Sequence, residues 1–258
     1  YLPIWQKFKR SGKKVGCVTT VPITHATPAG FCVSSKSRGE QAEIAEKYLQ
    51  LRFDVMMGGG GKYFNARKDD RNMFDEFAKA GFTVLQSKDE MKSATNQKPV
   101  LGVFDKEGLP YELDRVNDPM IAAKVPSLAE MASKAIDLMK DHKNGFCLQI
   151  EGGKVDWAAH ANDAAALIYD QVAFDDAIKV AIDFAEKEGN TLVVITSDHG
   201  NANPGLYYGE KADKNFESLF SFKHTNDWIL MGFERDASAA SLADRVFANQ
   251  NYQLTEDQ

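Results

Sequence analysis

The sequence has few of the features that mark a membrane protein, a disulfide-rich scaffold or a nucleic-acid-binding protein. No apolar run approaches the roughly 20 residues that a membrane-spanning helix needs. Three cysteines are an odd number without a CxxC pair, which excludes a complete disulfide set but leaves the redox compartment open. The formal net charge of −6 argues against a nucleic-acid partner, because phosphate backbones attract basic surfaces.

The chain has 258 residues, of which 43% are hydrophobic, and both values suit one α/β domain over residues 1–258. Strand-like and helix-like segments alternate, which predicts a mainly parallel central sheet with helices on both faces. We predict strands at 14–20, 53–57, 82–86, 99–104, 146–150, 192–196 and 228–231. We predict helices at 39–51, 72–80, 127–140, 163–188 and 238–249. Residues 105–125 and 201–222 are expected to be irregular, with 200–223 forming a short lid loop.

Two acidic, histidine-bearing segments follow predicted core strands. One is Glu151-Gly-Gly-Lys-Val-Asp156-Trp-Ala-Ala-His160, and the other is Thr196-Ser-Asp198-His199. Ligands of open α/β sheets collect at the carboxyl ends of the strands. Carboxylate and imidazole groups together suit zinc, or a mixture of zinc and magnesium. The sequence therefore predicts a metal-dependent enzyme.

The spacing within these segments favours shared ligation. Asp156 and His160 are four residues apart and would share one face of a helix, although an ordinary surface pair has the same spacing. Asp198 and His199 are adjacent, and on a loop after a strand both can reach one metal; the alternative is a helix-capping aspartate beside an unrelated histidine. His224 precedes a predicted strand, and taken alone it carries little weight.

The segment from Thr19 to Arg38 also contains candidate site residues. Thr27 offers a hydroxyl to a hard cation, and His25 could ligate a metal or hold a bound water. Arg38 would present a planar guanidinium to a phosphate dianion. The alternative is that Thr27 and Pro28 open a helix and that Arg38 is a surface charge. The glycine run 58–61 favours a tight turn over a phosphate cradle, because the GK[ST] ending is absent.

With these segments taken together, the sequence resembles the alkaline phosphatase family. The matching segments occur in the family's order, at residues 18–29, 54–60, 151–162, 190–199 and 224–225. The resemblance implies a three-layer α/β sandwich and a phosphomonoesterase with two zinc ions and one magnesium ion. It also implies a phosphoserine intermediate, a periplasmic or secreted location, and a homodimer. The short interval between His199 and His224 indicates a small lid.

The resemblance also implies a role for each candidate residue. Asp156, His160 and His224 resemble the ligands of one zinc, and Asp198 and His199 resemble those of the second. Glu151 and Thr27 resemble the magnesium ligands, with His25 near that third metal. Arg38 matches the phosphate-clamping arginine by its spacing from Thr27. Trp157 lies where some members have a phosphate-side Lys or His, which puts phosphate contact there in doubt.

One departure from the family pattern is serious. The family's nucleophile is a serine in an Asp-Ser-Ala context, and this chain contains no such tripeptide. A further aspartate, which bridges the second zinc and the magnesium, would also lie upstream. The chain begins at Tyr1 rather than Met, so we expect it to be roughly the C-terminal two-thirds of an active phosphatase. The chain alone is expected to be inactive.

Three other functions compete with this interpretation. The segments Ser197-Asp-His-Gly-Asn201 and His224-Thr-Asn226 also fit cofactor-independent phosphoglycerate mutases, and a phosphodiesterase belongs to the same superfamily. The Thr-His-Ala-Thr-Pro segment and the Glu-Gly-Gly-x-x-Asp block favour the phosphatase. A metal-binding pseudoenzyme that has lost its nucleophile is the alternative from a different class.

Overall fold

The computed structural model describes residues 1–202, 205, 208–234 and 237–255. Its five strands are β1 (Lys14–Pro22), β2 (Val55–Gly59), β3 (Thr83–Leu85), β4 (Val100–Val103) and β5 (Phe146–Glu151). They form one parallel sheet in the order β3-β4-β2-β1-β5. Helices cover both faces, so the predicted parallel α/β architecture is confirmed.

The helices alternate with these strands along the chain. They are α1 (Ile4–Arg10), α2 (Ala26–Cys32), α3 (Gln41–Leu51), α4 (Met73–Lys79), α5 (Lys88–Ser93), α6 (Glu112–Asn117), α7 (Pro119–Lys124), α8 (Leu128–Met139), α9 (Gly153–His160), α10 (Ala164–Glu188), α11 (Ala212–Ser218), α12 (Asn226–Met231) and α13 (Ala239–Gln250). No helix of the described residues combines the length and the apolar character needed to cross a bilayer.

Strand β1 lies inside the sheet and divides two apolar cores. Successive side chains of a strand point to opposite faces, so Cys17 and Val18 belong to different clusters. The first cluster packs aromatic side chains such as Trp5 and Tyr48 between the sheet and α1 to α4. The second packs β-strand residues such as Met57 against α8, whose Met131 and Ala135 are fully buried. Burial on both faces explains why β1 reads as a nearly continuous apolar run.

Local end signals account for most of the predicted elements. The five predicted helices correspond to α3, α4, α8, α10 and α13, and the first five predicted strands correspond to β1 to β5. Each lies within two residues of its predicted bounds at both ends. Ser127 and Glu130 form the predicted capping box at the start of α8. Gly189 ends α10 in the left-handed conformation, with φ of 68°.

Two predicted strands are wrong. Residues 192–196 form no strand, and Leu192, Val194 and Ile195 are 87%, 74% and 56% exposed. Residues 228–231 belong instead to helix α12, which the Thr225 hydroxyl caps by accepting a hydrogen bond from Trp228 N–H. A short apolar run does not distinguish a strand from a helix, and a strand also needs a neighbour to pair with.

The segments predicted as irregular contain helices. Residues 105–125 include α6 and α7, and residues 201–222 include α11. Asp118 caps α7 by accepting hydrogen bonds from two backbone N–H groups, and Pro119 occupies the first helical position. Of the predicted lid at 200–223, Asn203, Pro204, Leu206 and Tyr207 lie outside the described residues.

Gly59 gives a direct test of the packing at the end of β2. A β-carbon there would collide with the carbonyl oxygen of Glu107 and lie 2.9 Å from Gly108 Cα. Because both contacts are to backbone, Gly59→Ala is expected to lower the free energy of unfolding by about 1–3 kcal/mol. Gly30→Ala is the matched control, since nothing lies within 4 Å of a β-carbon there and α2 should gain about 0.5–1 kcal/mol. Urea unfolding of the two variants checks this; equal stabilities would contradict it.

Candidate functional site

The candidate residues cluster where β1 and β5 end side by side. Thr19 of β1 is paired in register with Glu151, the last residue of β5. The chain continues from β1 into α2, which carries Thr27, and from β5 into α9, which carries Asp156. Parallel pairing therefore brings together segments that are more than a hundred residues apart in sequence, as the strand-end argument predicts.

Glu151 is a half-buried carboxyl of this cluster. Its Oε2 accepts a hydrogen bond of 2.6 Å from the Thr19 hydroxyl, and Thr27 lies close enough to influence the pKa of the same carboxyl group. Burial raises the pKa of Glu151 above its ordinary value, and the Thr19 and Thr27 hydroxyl groups oppose the rise. Glu151 and Thr27 thus meet, and they present oxygen atoms of the type that hard cations prefer. Sequence reasoning missed Thr19, whose apolar neighbours make it look like an ordinary core-strand residue.

Asp156 is the point on which three other side chains converge. One turn of α9 brings His160 Nε2 to 3.6 Å from Asp156 Oδ1. His199 Nε2 lies 4.0 Å from the same oxygen, although it is 43 residues away in sequence. Asn201 Nδ2 donates to Asp156 Oδ1 at 2.7 Å and to the Asp156 carbonyl oxygen at 3.2 Å. Asn201 was not predicted as a site residue; its position two residues after His199 was the available signal.

Asp198 lies at the outer side of the cluster. Its Oδ2 is 3.7 Å from His199 Nε2, and its side chain is 73% exposed. Asp198 also lines an open cleft of about 490 Å³ together with Thr27, Gly30 and Phe31 of α2. The structure therefore brings the second predicted ligand pair next to both the Asp156 group and the Thr27 end of α2.

The types of donor atom in this cluster fit zinc. Ligands held about 2.0–2.2 Å from a tetrahedral zinc lie about 3.3–3.6 Å from one another. Around Asp156 Oδ1, the separation of 3.6 Å from His160 Nε2 falls at the end of that range, and the 4.0 Å from His199 Nε2 is slightly longer. Nevertheless, across the part of the chain that the structure describes, no group of three or more His, Cys, Asp or Glu side chains is arranged to hold a metal ion.

Arg38, His25 and Trp157 form one wall of the cluster. Arg38 Nη2 lies 3.3 Å from His25 Nε2, and the His25 ring meets the edge of Trp157 at a centroid distance of 5.8 Å. A guanidinium can only donate, so Nε2 accepts and Nδ1 carries the ring proton. That Nδ1 is buried without a hydrogen-bond partner. Burial and the Arg38 charge lower the pKa of His25, which favours its neutral form.

His224 contacts a different set of residues. Its Nδ1 lies 3.1 Å from Asp114 Oδ1, and its ring stacks on Trp228 at 3.7 Å. Within the described residues it forms no hydrogen bond or ion pair with Asp156 or His160, with which it was predicted to share a zinc. Asp114 is a third residue that sequence reasoning missed, after Thr19 and Asn201, and no local pattern marks it.

The glycine run at the end of β2 is a structural turn. Gly60 N–H donates to the carbonyl oxygens of Asp105 and Glu107, at 3.1 and 2.6 Å, and Gly61 N–H donates to Asp105 at 2.9 Å. Gly60 has φ of 103°, which favours glycine. Since these amide groups are used within the fold, they are not available to cradle a phosphate.

Comparison with known proteins places this chain in a family. The family model described as alkaline phosphatase matches residues 2–244. Alkaline phosphatase 4 of Bacillus subtilis is 37% identical over 234 residues, covering 88% of this chain and 48% of that relative. Alkaline phosphatase 3 of the same organism is 41% identical over 230 residues, covering 86% and 47%. The chain therefore belongs to the alkaline phosphatase family, and it spans about half the length of the curated relatives it matches.

Solved structures agree with this assignment. The alkaline phosphatase of Thermus thermophilus superimposes with a TM-score of 0.91 at 33% identity, covering 96% of this chain and 53% of that one. A variant of the TAB5 alkaline phosphatase, solved with Mg bound in its M3 site, superimposes with a TM-score of 0.64 at 32% identity. This superposition covers 72% of this chain and 52% of the variant.

Proposed function

We propose that the protein to which this chain belongs is a metal-dependent phosphomonoester hydrolase, an alkaline phosphatase. The observation that carries the proposal is the meeting of Asp156, His160 and His199 beside the Glu151–Thr27 pair, at the carboxyl ends of β1 and β5. Family membership supports the same activity. Small phosphate monoesters are the proposed substrates.

The proposed metals are two zinc ions and one magnesium ion. Asp156, His160 and His224 would hold one zinc, and Asp198 and His199 the second. Glu151 and Thr27 would hold the magnesium with His25 nearby, and the Mg found in the TAB5 variant supports a magnesium site in this family. When bound, such ions stabilise the attacking and leaving oxygens of an in-line displacement and lower the pKa of a bound hydroxyl group.

The side chains of this chain would position the phosphate. Arg38 offers a fixed fork of N–H donors, which suits the equatorial oxygens of a phosphoryl group. Because His25 is neutral, it does not neutralise any of the positive charge of Arg38. The full guanidinium charge would therefore be available to the phosphate dianion. Trp157 packs against His25 and closes this side of the cluster. It would fix the His25 ring and exclude water rather than donate to the phosphate.

The proposed nucleophile is a serine supplied by sequence N-terminal to Tyr1. Ser34, Ser35 and Ser37 lie near Arg38 in sequence, but none has the family's Asp-Ser-Ala context. The proposed intermediate is a phosphoserine, formed when the serine oxygen attacks phosphorus and the alcohol leaves. We further propose a periplasmic or secreted location and a homodimer, on family resemblance alone.

A comparison of two proteins tests the proposal. The 258-residue chain and a longer protein extended to include the Asp-Ser-Ala segment are assayed with a chromogenic phosphomonoester and a matched phosphodiester, with zinc and magnesium present. We expect the longer protein to hydrolyse the monoester in preference to the diester, and the chain alone to show almost no turnover. Full turnover by the chain alone would refute the upstream serine, and diester preference would refute the monoesterase assignment.

A further inference from the structure

Asp114 is a buried carboxyl group whose hydrogen bonds, among the described residues, go to the segment that carries His224. It lies in α6 and is 5% exposed. Its Oδ1 accepts from Thr225 N–H at 2.9 Å and lies 3.1 Å from His224 Nδ1. Its Oδ2 accepts from the Thr225 hydroxyl at 2.8 Å. One carboxyl thus bonds three polar atoms that are 110 or 111 residues away in sequence.

This contact determines which nitrogen of His224 carries the ring proton. An ionised carboxylate can only accept hydrogen bonds, so Nδ1 must be the donor. In a neutral imidazole the other nitrogen, Nε2, is then left with a free lone pair. The ring cannot easily turn away from this arrangement, because it stacks on Trp228 with an interplanar angle of 9° and its side chain is 13% exposed.

A second carboxyl holds the same segment without touching the imidazole. Asp163 Oδ2 accepts from Asn226 N–H at 2.7 Å, and its Oδ1 caps α10 through Ala166 N–H at 3.0 Å. Asp163 is 4% exposed. The segment 224–226 is therefore attached to α6 by Asp114 and to the start of α10 by Asp163, but only Asp114 acts on the ring.

We propose that Asp114 is the positioning residue of His224, holding its imidazole with Nδ1 protonated and Nε2 free to ligate zinc. The proposal rests on the proposed function for the identity of the metal, whereas the ring orientation stands on its own. Outer carboxylates of this kind commonly raise metal affinity by fixing the ring and increasing the basicity of the ligating nitrogen.

The tautomer is tested first, in the 258-residue chain without metal. Nitrogen-15 NMR of histidine-labelled protein distinguishes a protonated Nδ1 from a protonated Nε2, and His224→Gln identifies the His224 signals among the five histidines. We expect Nδ1–H in the wild type and in Asp114→Asn, whose amide oxygen can still accept from the ring. Asp163→Asn is the matched control and should leave the tautomer unchanged. An Nε2–H tautomer in the wild type would overturn the proposal.

Zinc affinity is measured second, by competition with a chromogenic chelator, in the protein extended to include the Asp-Ser-Ala segment. Asp114→Leu is expected to weaken zinc binding by about 10- to 100-fold, and Asp163→Asn by much less. Equal affinities of these two variants would overturn the proposal. If Asp114→Leu fails to fold, Asp114→Ala decides instead, because it also removes the acceptor of the ring proton, and an unchanged zinc affinity in that variant would overturn the proposal.

The two readouts separate this inference from the proposed function. A wild-type protein that shows the Nδ1–H tautomer but no monoesterase activity would contradict the proposed function alone. An active phosphatase with an Nε2–H tautomer at His224 would contradict the positioning role alone.

Discussion

Replacing Asp156 with alanine is expected to lower kcat/KM for a phosphomonoester by about 10³-fold or more in the protein that includes the serine segment. His160, His199 and Asn201 all converge on this carboxylate, so its removal takes away the group that they share. Losing the charge should release one of the proposed zinc ions, and a metal ion contributes several kcal/mol of transition-state stabilisation. About 4 kcal/mol corresponds to about 10³ in rate.

Asp176→Ala provides the matched control for this experiment. It removes a carboxylate from the exposed face of α10, so its kcat/KM and zinc content should remain those of the wild type. Steady-state kinetics and metal analysis of both variants give the comparison. If Asp156→Ala keeps its zinc and loses less than tenfold in kcat/KM, the role proposed for Asp156 is wrong.

Asp170→Asn is expected to stabilise the protein at pH 8 by up to about 4 kcal/mol, while changing little at pH 4. Asp170 is 4% exposed, and burial raises its pKa from 3.8 to about 7. Between these two pKa values the folded state binds more protons than the unfolded state, so stability falls as the pH rises. Each unit of difference between the folded and unfolded pKa of Asp170 corresponds to 1.36 kcal/mol of stability. The destabilisation by the ionised carboxylate is fully present only above about pH 7, where Asp170 is ionised in the folded state as well.

Asparagine removes this penalty because it cannot ionise. Its side-chain oxygen can still accept the hydrogen bond that Glu112 N–H donates to Asp170 Oδ2 at 3.1 Å. Urea unfolding at pH 4 and at pH 8 gives the two free-energy differences between variant and wild type. Asp176→Asn, on the exposed face of the same helix, controls for the loss of one negative charge. A stabilisation by Asp170→Asn that is equal at the two pH values would contradict the burial argument.

Asp170 also shows how the fold places charge near the site. Lys154 is 7% exposed and its ammonium lies 3.9 Å from the centre of the Tyr111 ring and 4.5 Å from that of Trp157. Its charge lowers the pKa of Asp170, which opposes part of the effect of burial. The buried polar side chains on α6, α9 and α10 thus form a scaffold behind the candidate site. Their arrangement depends on packing between helices and has no signature in the local sequence.

Short-range physics made much of the molecule predictable. Helix α8 begins at a capping box and α10 ends at a left-handed glycine, and both signals lie within a few residues of the element they bound. The pairing of Asp156 with His160 follows from the helical repeat of α9. The placement of Glu151 at the end of a strand follows from the apolar run before it, although β5 is a half-buried edge strand and not the core strand that the run predicts.

Predictions failed where an element depends on distant partners. The apolar run at 192–196 has the composition of a core strand, yet it is exposed, because strand formation requires a paired neighbour as well as suitable residues. The run at 228–231 became helical because Thr225 caps it, and Thr225 is itself held by Asp114 of α6.

The sequence by itself determined the family, the parallel α/β class, most element bounds and the identity of the candidate ligands, because these follow from periodicity, end signals and motifs in a known order. Only the tertiary structure decided that Thr19 bonds Glu151 beside Thr27, that His199 and Asn201 meet Asp156, and that Asp114 holds His224. These contacts join residues separated by 43 to 132 positions. Such pairs are set by strand register and helix packing, which no short stretch of sequence encodes.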